Sequence, residues 1–347
     1  MKKRILIALC ATLVCAILLG AAQAVVMPKY RENPEGALIG EYYGESGGHD
    51  VIFVGDCEVY ESLIPAVLWE EAGVSSYVRG SAQQLVWQSY YILEETFKYE
   101  QPKAVVFNVL ALKYGTPQSE AFNRMTLDGM KWSPSKVRAI CASMTEEENF
   151  LEYVFPLLRF HSRATQLTGD DFRYAFTDAP TVSQCGYLMQ TGVVPMTEPG
   201  QKGPSLLSYT LPETAMDYLE RMRQLCQENG AELILMKAPT NSWAYWWYDQ
   251  WEEQIVAYAA EKGLSYYNFI PLCEEMGIDW STDTYDAGVH LNVYGAEKLS
   301  RYMGRLLAER HGISDRRSES ETAARWQQRV ASYQTQKQAM EGKEGNT

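Results

Sequence analysis

The chain opens with three cations, Lys2, Lys3 and Arg4, followed by an uncharged run from Ile5 to Val26. About 20 apolar residues suffice to cross a bilayer as a helix. Cations on the N-terminal side keep that end cytoplasmic, so the rest of the chain is exported. Two readings of residues 1–26 stand side by side: a retained membrane anchor, or a signal segment cleaved near Ala22-Gln23-Ala24. Either one places the remainder outside the membrane. Residues 27–48 are rich in Gly, Pro and Tyr without a clear period, and read as a linker leaving the membrane.

A different pattern then sets in. Val51–Val54 is a short apolar run with β-branched residues, closed by Gly55-Asp56, which predicts a buried strand. A helical pattern covers 61–72, a second short strand 74–79, an amphipathic helix 84–99 and a third strand 104–110. This alternation predicts an α/β domain with a parallel sheet covered by helices on both faces. The alternation breaks over 113–210, where charged helical stretches (Ser135–Met144, Glu146–Arg159) and a Gly/Pro/Thr-rich stretch at 178–205 predict a large insertion over the carboxyl edge of the sheet; a separate small domain is the alternative. It resumes with a helix at 212–229, a strand at Glu232–Lys237, a helix near 250–261, a strand at Ser265–Phe269 and a helix at Val293–His311. The folded domain is thus expected over 49–313. Residues 314–347 form a polar tail, either a solvated helix or disordered.

Charge narrows the function classes. The net charge is -13, from 31 Lys+Arg against 44 Asp+Glu. The basic start and near-neutral tail leave the acidic excess in 27–313. Such a domain repels duplex phosphates, so no nucleic-acid partner is expected. The 46% hydrophobic content is that of a globular chain, not of a multi-span membrane protein. Beyond the first helix lie Cys57, Cys141, Cys185, Cys226 and Cys273. No pair has the Cys-x-x-Cys spacing of a zinc site, and no metal or other cofactor is expected. Their odd number prevents full intrachain pairing.

Ligands of open parallel sheets bind outside the carboxyl ends of the strands. Three segments fall there: Gly55-Asp56-Cys57 after the first strand, Gly80-Ser81-Ala82-Gln83 after the second, and Asp286-Ala287-Gly288-Val289-His290-Leu291-Asn292 before the last helix. At a helix N-terminus Cys57 would have a depressed pKa and act as a nucleophile. His290 would take its proton and return it to a leaving group, with Asp286 fixing the imidazole tautomer; Asp283 is a second carboxylate within reach. Backbone N–H groups at Cys57 and Gly80 would receive an oxyanion. His161, between Arg159 and Arg163, is a rival histidine in an anion-contacting loop, while His49 and His311 read as solvated. Lys237 and Arg79 are candidate contacts for an anionic substrate, as is Arg124, with surface ion pairs as the alternative. Trp243, Tyr245, Trp246, Trp247, Tyr248 and Trp251 form either a sugar- or lipid-facing surface or a helix packed on the core.

These residues resemble the SGNH/GDSL hydrolases. The likeness rests on Gly55-Asp56-Cys57, on a glycine after the second strand, and on Asp-x-x-x-His-Leu-Asn before the final helix, over roughly 50–110 and 230–310. The N-terminal segment and the turn Arg79-Gly80-Ser81-Ala82-Gln83 look more like the membrane-anchored envelope acyltransferases of DltD and AlgX/AlgJ type. The resemblance implies a flavodoxin-like three-layer α/β/α fold and ester chemistry through an acyl-enzyme, with Cys57, His290 and Asp286 as catalytic residues and Gly80, Asn108, Arg79, Gln83 and Lys237 around the oxyanion and substrate. It also implies an envelope polysaccharide or other glycopolymer as substrate and a membrane-embedded acyl-donor protein as partner. Three features depart from the family pattern. Cys57 stands where the family has serine, Asp286 lies one residue farther from its histidine, and Asn108 falls about four residues early for an oxyanion asparagine. A catalytically silent glycan-binding or envelope-assembly protein on the same fold is the alternative function.

Overall fold

The fold was obtained as a computed structural model describing residues 1–28, 34–45, 47–177, 181–197, 205–241 and 248–344. Five strands, β1 (Val51–Gly55), β2 (Ser76–Gly80), β3 (Ala104–Asn108), β4 (Glu232–Lys237) and β5 (Ser265–Asn268), form one parallel sheet in the order β2-β1-β3-β4-β5. Every residue of β1, β2 and β3 is buried. Their continuous apolar runs are what a parallel strand covered on both faces requires. In register, Val54 lies beside Phe107, Asn108 beside Met236, and Gly55 beside Gly80.

The helices, in chain order, are α1 (Lys2–Val26), α2 (Leu38–Glu41), α3 (Cys57–Tyr60), α4 (Pro65–Ala72), α5 (Val86–Tyr99), α6 (Glu120–Leu127), α7 (Pro134–Ser143), α8 (Phe150–Val154), α9 (Pro156–Phe160), α10 (Gly169–Phe176), α11 (Glu213–Glu228), α12 (Tyr248–Lys262), α13 (Cys273–Met276), α14 (Val293–His311) and α15 (Ser320–Glu344). Alternate strand residues build two cores. Ile52, Val54, Val105, Phe107, Leu233 and Leu235 pack under α5, α11 and α12. Val51, Phe53, Val78, Val106, Ile234 and Met236 pack under α4 and α14. The result is an α/β/α sandwich with flavodoxin-like strand order. That order reverses between β1 and β3, which opens a crevice at their carboxyl ends.

Four expectations change. The third strand ends at Asn108 rather than residue 110, and a 3-10 turn, Val109–Lys113, follows it. Pro156 splits the stretch expected as one helix into α8 and α9, since proline cannot continue a hydrogen-bonded helix. The insertion lies over the carboxyl edge only in part: its return segment runs along the loop before α14, where Val194 N–H donates to Thr284 O and Ala287 N–H to Val194 O, both at 3.0 Å, but its helices pack elsewhere. Its α7 packs on α5, its α9 and α10 pack on α1, and its return segment guards the sheet edge, where Val78 N–H donates to Cys185 O at 3.0 Å. Gly186 is obligatory there, because a Cβ would sit 1.9 Å from Val78 O.

The fourth change concerns the supposed linker and tail, which are parts of the body. Leu38, Ile39 and Tyr42 are buried. His49 is buried too, its ring 3.0 Å from the Glu100 carboxylate. The tail forms α15, which packs on α4. Trp326 is fully buried and stacks on Trp69 at 5.4 Å, and Tyr333 is fully buried with its hydroxyl donating to Glu297 Oε1 at 2.6 Å. Arg329 bridges from α15 to Glu45 and His49. His311 is likewise engaged, between Glu232 and the Tyr267 hydroxyl.

Candidate active site

Cys57 is the first residue of α3, a single helical turn begun by Asp56, whose Oδ1 accepts Glu58 N–H at 3.2 Å. Gly55 permits this abrupt exit from β1. A Cβ there would lie 2.6 Å from Val59 Cγ2 and 3.1 Å from Asn108 Cβ. The His loop arrives from the far end of the chain. It turns through Ala287 (φ 60°) and Gly288 (φ 94°), the first of these a strained conformation for a residue with a Cβ. Thr284 Oγ1 holds the turn by accepting Gly288 N–H at 2.8 Å.

The loop delivers its residues to the thiol. His290 Nε2 lies 3.1 Å from Cys57 Sγ. One carboxylate holds the other side of the imidazole: His290 Nδ1–H donates to Asp286 Oδ2 at 2.6 Å and its backbone N–H to Asp286 Oδ1 at 2.8 Å. The spacing of four residues lets Asp286 grip both the ring and the backbone. Asp283 faces elsewhere, accepting from Lys298 Nζ and Asp279 N–H. A second carboxylate completes the surroundings. Glu61 Oε2 is 3.9 Å from His290 Nδ1 and accepts the Tyr285 hydroxyl at 2.9 Å, while the Tyr285 ring stacks on the imidazole. Sequence reasoning missed both residues. The available signals were position: Glu61 lies one helical turn beyond Cys57, and Tyr285 directly precedes Asp286.

The electrostatics correct one expectation. Burial pushes the Cys57 thiol up from its ordinary value, and the hydrogen bond with His290 only partly opposes this. A helix of one turn supplies too little dipole to reverse it. Burial also works against an imidazolium at His290, but the hydrogen bonds to Asp286 and Cys57 outweigh it and raise its pKa strongly. Asp286 is held below the usual carboxylate range: burial would raise it, and its hydrogen bonds from His290 prevail. Burial lifts Glu61 to about 7. The arrangement is a hydrogen-bonded thiol–imidazole pair: burial disfavours a thiolate at Cys57, while the Asp286 and Cys57 contacts favour a proton on His290, so the proton between Sγ and Nε2 is drawn toward the ring.

Other expected site residues lie beneath this line. Asn108 is fully buried, and both its amide hydrogens are committed, to Asp56 Oδ1 at 3.1 Å and Glu58 Oε2 at 2.8 Å. Its Oδ1 accepts Ala238 N–H at 3.1 Å. An oxyanion role would require breaking this set. Lys237, also fully buried, donates to both Glu58 oxygens at 2.8 Å and to Ala238 O at 2.9 Å, so it is no surface contact for substrate. Burial and the Glu58 charge lift Asp56 to about 6.

Arg79 points to the opposite face, under α5. Its Nη1 donates to Thr96 Oγ1 at 2.7 Å and its Cζ lies 3.8 Å over the Tyr42 ring. Gly80 faces Gly55 at the sheet's carboxyl end, where a Cβ would meet Gly55 O at 3.1 Å and Tyr60 Cδ1 at 3.2 Å. Gln83, at φ 51°, donates to the Tyr114 hydroxyl at 3.3 Å. His161 is exposed, its ring against Leu158 O. Arg124 is buried against Glu120 and Asp128. Trp251 is buried in the core, whereas Trp243, Tyr245, Trp246 and Trp247 lie outside the described residues. Among the described residues no group of three His, Cys, Asp or Glu side chains is arranged to hold a metal ion. All seven cysteines are free thiols.

No family model matches this sequence, and a search of curated proteins returns no match. The functional reading therefore rests on the site itself.

Proposed function

We propose that this is a membrane-tethered, extracytoplasmic acyl-ester transferase or esterase that acts on a cell-envelope glycan or glycopolymer through a Cys57 thioester. The observation that carries the reading is the unbroken line from Cys57 Sγ through the His290 ring to Asp286. In the proposed reaction His290 Nε2 takes the thiol proton as Sγ attacks the ester carbonyl. The imidazolium then protonates the departing alkoxide, leaving an acyl thioester on Cys57. An acceptor hydroxyl, deprotonated by His290, attacks the thioester and releases Sγ, which recovers its proton.

A thioester passes its acyl group readily to an alcohol or amine, which favours transfer over hydrolysis. So does the N-terminal helix, long and apolar enough to span a membrane, with its leading cations on the cytoplasmic side. A membrane-embedded protein supplying activated acyl groups fits the same reading.

The test is the intact mass of the full chain in detergent after reaction with p-nitrophenyl acetate under reducing conditions. One acetyl adduct on Cys57 is expected. It should vanish in Cys57→Ala and form at least ~10³-fold more slowly in His290→Ala. No adduct, or equal labelling of the other cysteines, would leave the site a silent one and move the reading to a glycan-binding protein on this fold.

A further inference from the structure

Helix α1 meets the body at one end only. Residues 1–20 are exposed, burial begins at Ala21, and Val25 and Val26 are 6% and 2% exposed. The free stretch, at 1.5 Å per residue, is roughly 30 Å long, the thickness of a bilayer's hydrocarbon core. The body therefore begins where a bilayer crossed by this stretch would end. Arg163 fixes that junction. Its Nη1 donates to Val26 O at 2.6 Å and its Nη2 to Asp171 Oδ1 at 2.9 Å, tying the end of α1 to α10.

The helices around the junction are built the wrong way round for a water-soluble surface. Helix α9 buries none of its residues, and α10 buries only Asp171. Their large apolar side chains point outward instead. Leu151, Phe155, Leu158, Phe172 and Phe176 are 40–63% exposed. Exposed apolar clusters of this kind mark an interaction surface. The cations among them, Arg159 and Arg173, have side chains 46% and 57% exposed and pair with Glu120 at 2.7 Å and Asp170 at 3.0 Å, neighbours that a headgroup phosphate would join or displace. Apolar bodies with long cationic arms suit the boundary between acyl chains and phosphate headgroups. Exposed Trp132 belongs to the same neighbourhood. With Gln23, Ala24, Met27, Lys136 and Pro156 it lines a recess of about 410 Å³ between the end of α1 and the body, at the height where interfacial tryptophan is enriched.

We propose that α8, α9 and α10 form a collar seated in the outer leaflet around the exit of α1, so that this part of the insertion is a lipid-binding platform. The occupant is the bilayer that α1 itself crosses, because the collar is continuous with the buried end of that helix. The proposal rests on reading α1 as a retained span with its N-terminus cytoplasmic. It adds a second, separable membrane contact, which holds the body at a fixed height and tilt rather than on a loose tether.

The test uses the full chain in nanodiscs of phosphatidylcholine and phosphatidylglycerol carrying a lipid with a diazirine near the top of its acyl chain. After photolysis, peptide mass mapping should find lipid adducts within 150–176 as well as within 2–26. Adducts confined to 2–26 would overturn the collar while leaving the span intact. The combined variant Phe155→Ser, Leu158→Ser, Phe172→Ser, Phe176→Ser should lose the adducts in 150–176 and keep those in α1, since these side chains support no core. Retained adducts in 150–176 would also overturn it. An intact mass lacking α1 would refute the span instead; the processed chain would then have to label at 150–176 on the same nanodiscs, and failure to do so would end the proposal.

Discussion

Residues 56 to 58 face two ways, and the two assemblies they join behave as opposites. Outward, Cys57 meets His290 and Asp286, whose side chains are 16% and 28% exposed. Inward, Asp56 and Glu58 meet Asn108 and Lys237, none more than 3% exposed. The outer set is a line from Cys57 Sγ through the imidazole to Asp286, joined by hydrogen bonds of 3.1 and 2.6 Å. The inner set is a closed knot in which the lysine and the amide have spent their donors. Adjacent positions in one helical turn thus separate the proposed chemistry from support. A buried carboxylate near a nucleophile is not by itself a catalytic group. What distinguishes the two sets is whether a substrate can reach a donor without breaking the structure.

Substitutions should divide the same way. The largest effect is expected at Asp286→Asn, which keeps the shape but favours the wrong imidazole tautomer. Cys57 acylation should slow by about 10²- to 10⁴-fold, with the urea midpoint nearly unchanged. A matching loss of stability would show that the outer line is structural as well. Next comes Lys237→Met in the inner knot, which strands buried Glu58 without its cation. A loss of about 3–5 kcal/mol in urea unfolding is expected, and adding Glu58→Gln should restore part of it. A loss under ~1 kcal/mol would mean that the knot is not energetically sealed.

The smallest of the three lies on the border between the sets. Glu61, lifted to about 7 by burial, takes up a proton on folding between its unfolded value and that pKa. Its contribution to stability is therefore fully present below about pH 4.3 and is lost as pH rises through about 7. Against Glu61→Gln, the wild-type chain should lose roughly 3–4 kcal/mol across that window. Chemical denaturation at a series of pH values measures it. Parallel curves for the two proteins would show that Glu61 stays ionised in the folded state.

The sequence pattern carried the strands and the triad for different reasons. Buried parallel strands are apolar throughout, so their runs stand out. The triad was visible because Asp286 and His290 are four apart in one loop, and because Cys57 follows a strand at a glycine. Asn108, Lys237 and Arg79 were misplaced because nearness to a strand's carboxyl end does not say which way the side chain leaves. That depends on neighbours in register, such as Met236 beside Asn108, which no local pattern encodes. Helix α15 was taken as a tail because few large apolar residues punctuate a polar sequence. Yet Trp326, Tyr333 and Met340 recur every seven residues, the spacing of one helical stripe, and the first two are fully buried.

The pairing of α15 with the start of the body has a consequence for timing. Arg316 donates to Gly48 O at 2.9 Å, and Arg329 reaches His49 across 280 positions of sequence. A chain synthesised from its N-terminal end presents His49 early and Arg329 late. At about 5–20 residues per second of synthesis, the wait is roughly fifteen seconds to a minute. Throughout it, the faces of Trp69 and His49 that α15 covers stand open. Maturation of this protein is thus gated by arrival: an early edge of the body is sealed by a segment that emerges long after it.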